Sequence, residues 1–130
     1  MFSLEVRDSI MIAHSLPAPF FGPAQGKHGA TFTVDVTFYR EKLDQHNVVI
    51  DIGKAIDVLK AILKPLNYQD LDTLPMFKGI LTTTEFLSHY IFEELKKAKS
   101  QFGDDGQGVN AIKVMLTENH LAKAGYKGAV

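Results

Sequence analysis

The residues able to do chemistry in this chain cluster where strands and helices begin or end. His28 opens an alternating run directly after a Gly/Pro-rich loop, and Gly29 follows it. An imidazole there can act as a metal ligand or a proton carrier. Taken by itself it is more commonly a partly exposed loop histidine. His14 ends an apolar run, where a histidine is more often a satisfied core residue than a ligand. Asn67-Tyr68 follows one helical pattern, and Thr82-Thr83-Thr84-Glu85 introduces another. Glu118 and His120 stand two residues apart near the C-terminus. They point the same way if their strand runs on unbroken, and need not if the chain turns at Asn119.

The elements that must position these groups follow from periodicity. Phe2, Leu4, Val6, Ile10, Ile12 and His14 share one parity, which predicts a strand with one apolar face. Ser15 to Lys27 holds three prolines and two glycines and reads as a loop, with Phe20 and Phe21 pinning it down or lining a pocket. From His28, apolar Ala30, Phe32, Val34, Val36 and Phe38 alternate with polar Thr31, Thr33, Asp35 and Thr37. That is a second strand. With no helix between them the two strands should pair antiparallel, which would bring His14 and His28 to one end of the sheet in a suitable register.

Val48 to Ile50 reads as a short extended run. Asp51 is placed to N-cap a helix with Ile52, Ile56, Leu59, Ile62, Leu63 and Leu66 on its apolar stripe. Pro65 signals its end. A connecting loop leads to a second helix with Phe86, Leu87, Tyr90, Ile91 and Leu95 on its stripe. Thr82 and Glu85 have capping-box spacing, and Lys96, Lys97 and Lys99 suit the C-terminus. His89 lies on the polar flank and receives no role. Gln101 to Asn110 reads as a flexible glycine-rich turn, where Asp104-Asp105 is more readily solvated than metal-bound. Ile112, Val114 and Leu116 form a third strand, and Leu121 to Tyr126 a short last one. The predicted order is ββααββ: an α+β layer of four antiparallel strands with two helices on one face. Open sheet edges then favour oligomerisation.

Composition sets the outer limits. A chain of 130 residues, 45% hydrophobic and 22% charged, fits one domain over 1–130 with an ordinary core. A formal net charge of -1 argues against a nucleic-acid binder. The absence of cysteine excludes disulfides, thiolate metal sites and a cysteine nucleophile. No apolar run reaches the roughly 20 residues that span a bilayer, and the start lacks signal-peptide character. A cytoplasmic protein with no membrane partner is expected. No internal repeat is evident.

Six features in order resemble the 6-pyruvoyl-tetrahydropterin synthase and 6-carboxytetrahydropterin synthase family, which has the tunnelling fold. His14 stands where that family ends its first strand in a histidine. Phe21-Gly22-Pro23-Ala24-Gln25-Gly26-Lys27-His28-Gly29-Ala30 resembles its F-G-K-C-x-x-x-H-G-H segment. Ile50-Asp51-Ile52 introduces the first helix, and Leu66-Asn67-Tyr68-Gln69-Asp70-Leu71-Asp72 with Pro75 follows it, as L-D-H-x-x-L-D…P does in the family. Thr83-Thr84-Glu85 opens the second helix, and Glu118 precedes Tyr126 by eight positions. The resemblance covers nearly the whole chain. It implies a homo-oligomer, a trimer or a hexamer of two trimers, with sheets joined into a barrel and sites at subunit interfaces. It also implies a reduced pterin held by Glu118 with help near Thr83 and Thr84, and a zinc site that includes His14 and His28. A carboxylate suits a heterocycle with two adjacent N–H donors.

Three departures accompany the match. The family's third zinc histidine aligns with Ala30, its general-base cysteine with Ala24, and its Asp-His pair with Asn67-Tyr68. Alanine neither binds zinc nor moves protons. A tyrosine at 68 can donate a proton, although an ordinary phenol pKa near ~10 makes a poor base. His120 offers a replacement: with His14 and His28 it would complete a three-histidine zinc site with an open position. It could instead supply acid/base chemistry without metal, or be an exposed turn residue. Two functions are consistent with this reading. One is a zinc-dependent lyase acting on a reduced pterin such as 7,8-dihydroneopterin triphosphate, with Tyr68 as catalytic residue. The other is a non-catalytic oligomer that binds a pterin or purine-like ligand.

Overall fold

The computed structural model describes residues 1–102 and 108–130, so the paired aspartates at 104 and 105 lie outside the described residues. Strands β1 (Phe2–His14) and β2 (His28–Arg40) form the long antiparallel pair that alternation predicts, joined by a 3-10 segment over Pro19–Gln25. Helix α1 (Ile52–Leu63) comes next, then the two-residue strand β3 (Gln69–Asp70), helix α2 (Thr84–Lys97), β4 (Ala111–Asn119) and β5 (Ala122–Ala129). The sheet order is β3-β1-β2-β4-β5.

The architecture is α+β, with one change from the four-stranded expectation. β3 adds a fifth strand, parallel to β1 through Ile12↔Gln69 and Ala13↔Asp70, so the sheet is mixed. Two residues have no detectable period, which is why that stretch reads as loop. Val48 to Ile50 forms no strand. The run instead follows a turn at Gln45–His46, where the Asp44 carboxylate accepts from the His46 and Val48 N–H groups, and Val49 and Ile50 are buried.

The core lies between the sheet and the two helices. Phe32, Val34, Val36 and Phe38 from β2 are wholly buried, beside Ile10 and Ile12 from β1 and Ile112, Val114 and Leu116 from β4. Helix α1 packs over β1, and α2 over β4 and β5. Asp51 caps α1 by accepting from the Lys54 N–H at 2.8 Å. The stripe α1 buries is rotated from the one read in sequence. Ala55, Val58, Leu59 and Leu63 face inward, while Ile52 and Ile56 are exposed on the isolated chain. On α2, Leu87, Ile91, Phe92 and Leu95 face inward. Gly128 lets β5 approach that helix, because a Cβ there would stand 2.7 Å from the Phe92 ring.

Candidate functional site

The β1–β2 register ends on His14↔His28. Because both belong to the apolar-parity faces of antiparallel neighbours, they project to the same side at the end of the sheet. Their ring centroids are 4.6 Å apart, edge to face. His14 is 2% exposed. In each ring Nδ1 already has a neighbour. His28 Nδ1 lies 2.8 Å from the Gly26 carbonyl, which can only accept, so that nitrogen carries the hydrogen. His14 Nδ1 lies 3.0 Å from Thr82 Oγ1. What remains is Nε2 on both rings, and among the described residues Nε2 of His14, which is buried, has no hydrogen-bond partner. Two neighbouring imidazoles, each with Nδ1 held and Nε2 free, supply two of the three protein donors that a catalytic zinc-type site uses, and no third joins them among the described residues.

Burial pushes the His14 pKa below the ordinary histidine value, and the neighbouring His28 adds to this. Hydrogen bonding at Thr82, and the charges of Asp72 and Glu118, act in the opposite direction without prevailing. The folded state therefore favours neutral His14, and stability is complete above the unfolded histidine pKa of about 6.5. It is lost as pH falls from there through the depressed folded value. In metal-free protein, the urea midpoint should drop more between pH 7.5 and pH 5.5 in the parent than in His14→Gln. Equal drops would show that this ring contributes nothing to the pH dependence.

A polar clamp locks the segments that carry both histidines. Lys27, next to His28, donates to Asp70 at 2.7 Å and Asp72 at 2.6 Å. Ser15, next to His14, gives its N–H and O–H to the same Asp72 oxygen at 3.0 and 2.6 Å. Partial burial works against an ionised Asp72, but the hydrogen bonds from Lys27 and Ser15 prevail and hold its carboxyl below the usual range. Bonding to Asp70 and then Asp72 raises the Lys27 pKa, so Lys27 is a fixed cation and no base.

Glu118 and the start of α2 border the same region, since the Glu118 charge is felt at His14. Thr84 Oγ1 reaches Glu118 Oε2 at 3.4 Å, the long limit of a hydrogen bond. Thr83, not Thr82, is the N-cap of α2, accepting from the Phe86 N–H at 3.1 Å. The Thr82–Glu85 capping box is thus out by one residue, and the Thr82 hydroxyl is turned to His14 instead. Glu118, Thr84, Glu85 and Lys123 line a shallow concavity of about 180 Å³. That is well under the roughly 300 Å³ of the smallest usual ligand pockets.

His120 and Tyr68 stand elsewhere. The β4–β5 ladder is irregular between Thr117 and Asn119, and His120-Leu121 form the turn, closed by Leu121 N–H to Asn119 Oδ1 at 2.8 Å. His120 is exposed there. Among the described residues, no group of three or more His, Cys, Asp or Glu converges within one chain. Tyr68 adopts φ 60°, held by its N–H to the Met11 carbonyl at 2.7 Å. Its side chain is 78% exposed at the β1 edge and lines open concavities with residues such as Met11, Ile12 and Gln69. Asn67 Oδ1 accepts from the Met11 N–H at 2.9 Å, so that amide serves the strand edge. Sequence reasoning missed Thr82, Lys27, Ser15 and Asp72 as supports of the histidines. Their partners lie 43 to 68 positions away, a range over which spacing carries no signal.

A mixed sheet under two helices, with a histidine pair closing its central hairpin, defines a domain of the tunnelling fold. Residues 3–129 match the family described as 6-pyruvoyl tetrahydropterin synthase. A 6-pyruvoyl tetrahydrobiopterin synthase from Dictyostelium discoideum is 26% identical over 103 residues, spanning 78% of this chain and 72% of that protein. The 6-pyruvoyl tetrahydropterin synthase structure from Caenorhabditis elegans superposes with a TM-score of 0.83 at 24% identity, over 98% of this chain and 95% of that one. The Plasmodium vivax structure gives 0.77 at 16% identity, over the whole of both chains. At these identities the two structures speak to fold. The chain belongs to the 6-pyruvoyl tetrahydropterin synthase family.

Proposed function

We propose that this protein is a zinc-dependent lyase acting on a reduced pterin, with 7,8-dihydroneopterin triphosphate as the first candidate substrate. The observation that carries this reading is the His14–His28 pair, with Nδ1 of each ring held and Nε2 of each left free. These two nitrogens would hold the zinc, with His120, exposed in the β4–β5 turn of its own chain, proposed as the third donor once subunits assemble. When bound, zinc would polarise a hydroxyl or carbonyl of the substrate side chain. Glu118 accepts the paired N–H groups of the pterin edge, with Thr83 and Thr84 at the helix start beside it. Tyr68 donates a proton.

The site is completed in a homo-oligomer, a trimer or hexamer. Two features support this: the small concavity at Glu118, and the sheet edges left unpaired among the described residues along most of β1 and on β5. None of the described helices is long and apolar enough to cross a membrane, and we place the protein in the cytoplasm.

A second reading, a non-catalytic oligomer that binds a pterin or purine-like ligand, is favoured by Ala24 and by Asn67. The first supplies no base, and the amide of the second is engaged at the strand edge. Incubation of the zinc-loaded oligomer with 7,8-dihydroneopterin triphosphate separates the two. Release of inorganic triphosphate or of a side-chain aldehyde supports the lyase. Tight binding with the substrate recovered intact supports the second reading.

A further inference from the structure

The two histidines solve one problem in different ways. His28 satisfies its Nδ1 locally, on the carbonyl of Gly26 two residues back. His14 has no such option, because the residues before it are committed to the β1 ladder with β2 on one side and β3 on the other. Its Nδ1 partner comes from Thr82, 68 positions away, just outside the start of α2. Thr82 is 1% exposed. Its hydroxyl is not a helix cap, since Thr83 holds that position. A buried hydroxyl facing an imidazole nitrogen at 3.0 Å is therefore there for the ring.

The direction of that hydrogen bond follows from the other end of the ring. Nε2 of His14 is buried without a partner among the described residues. A buried N–H without an acceptor is the rarer defect in folded proteins, compared with an acceptor left short of a donor. The hydrogen then sits on Nδ1 and is donated to Thr82 Oγ1, and Nε2 keeps its lone pair.

We propose that Thr82 is a positioning residue whose hydroxyl holds His14 as the Nδ1–H tautomer, so that the Nε2 lone pair is presented to a divalent cation of the zinc type. The cation half rests on the function proposed above, while the tautomer half stands without it. Thr82 also links the end of β1 to the start of α2, where Thr84 meets Glu118. Metal donor and ligand anchor are thereby set by one turn of chain.

The test uses the full-length, metal-free protein with 15N-labelled histidine, as parent, Thr82→Val and Thr82→Ser. Long-range 1H–15N spectra report the tautomer, and titration with cobalt(II) alone reports affinity. Valine keeps the shape and the main chain, so a change reports on the hydroxyl. The parent should show His14 as a single Nδ1–H tautomer with a slowly exchanging proton. Thr82→Val should show a tautomer mixture or a rapidly exchanging proton, and bind cobalt about 10- to 100-fold more weakly. Thr82→Ser should behave as the parent. An Nε2–H tautomer in the parent overturns the proposal without any variant. So does an unchanged His14 signal in Thr82→Val. A parent that binds no cobalt, yet whose tautomer depends on Thr82, removes the zinc reading and leaves the role of Thr82 standing.

Discussion

His28→Ala is expected to leave the purified protein without zinc and to reduce pterin turnover by about a thousandfold or more, on the scale of lost metal catalysis. Within one chain His14 and His28 are the paired imidazoles, and no third His, Cys, Asp or Glu joins them among the described residues. A site with so few protein donors has no reserve, so losing one leaves a single imidazole against a strongly hydrated dication. The fold should tolerate the change, because His28 is only partly buried and its ring bonds to a carbonyl in its own loop. A near-parental thermal midpoint with zinc absent and turnover gone is the expected pattern. Zinc retained at one per chain in His28→Ala would remove this pair from the metal site.

The second large effect is expected at Glu118. Glu118→Gln should weaken reduced-pterin binding on the order of 100-fold, as expected when charge-assisted hydrogen bonds to a ligand are lost. An amide presents one acceptor and one donor where the carboxylate presents two acceptors, so one of two adjacent ligand N–H groups would meet another N–H. The oligomer should survive, since Glu118 is exposed and, among the described residues, its side chain has one bond, the long contact from Thr84. Calorimetric titration with a reduced pterin, beside size-exclusion chromatography, measures both. Parental affinity in Glu118→Gln would take away the main support for a pterin site. Lost affinity with dissociation into monomers would assign Glu118 to assembly instead.

What could be read in sequence was whatever repeats on a short period. Alternation from His28 to Phe38 makes β2 legible, and the lack of a helix before it makes its antiparallel pairing with β1 legible, while the register that brings His14 to His28 comes from the structure. Asp51 was legible as a cap because the bond it makes is three residues away. What could not be read depended on contacts with no period. β3 is held by two register pairs. The Lys27–Asp70–Asp72–Ser15 clamp joins two loops. Thr82 shares its spacing to Glu85 with a true capping box, yet Thr83 takes the cap, and a one-residue difference sends the Thr82 hydroxyl to His14. Glu118 and His120 show the same limit. Their relative direction turned on whether the strand continued past Asn119, and the chain turns there.

Zinc content per chain of the purified oligomer, measured for the parent and for His120→Ala, tests the metal reading most directly. About one zinc per chain is expected in the parent, as for a structural or catalytic zinc site. Loss of zinc in His120→Ala would identify His120 as the third donor, and retention would place that donor elsewhere. A parent that holds no zinc, even after zinc is supplied, would contradict the zinc-dependent lyase and leave a pterin-binding oligomer or a metal-free enzyme in its place.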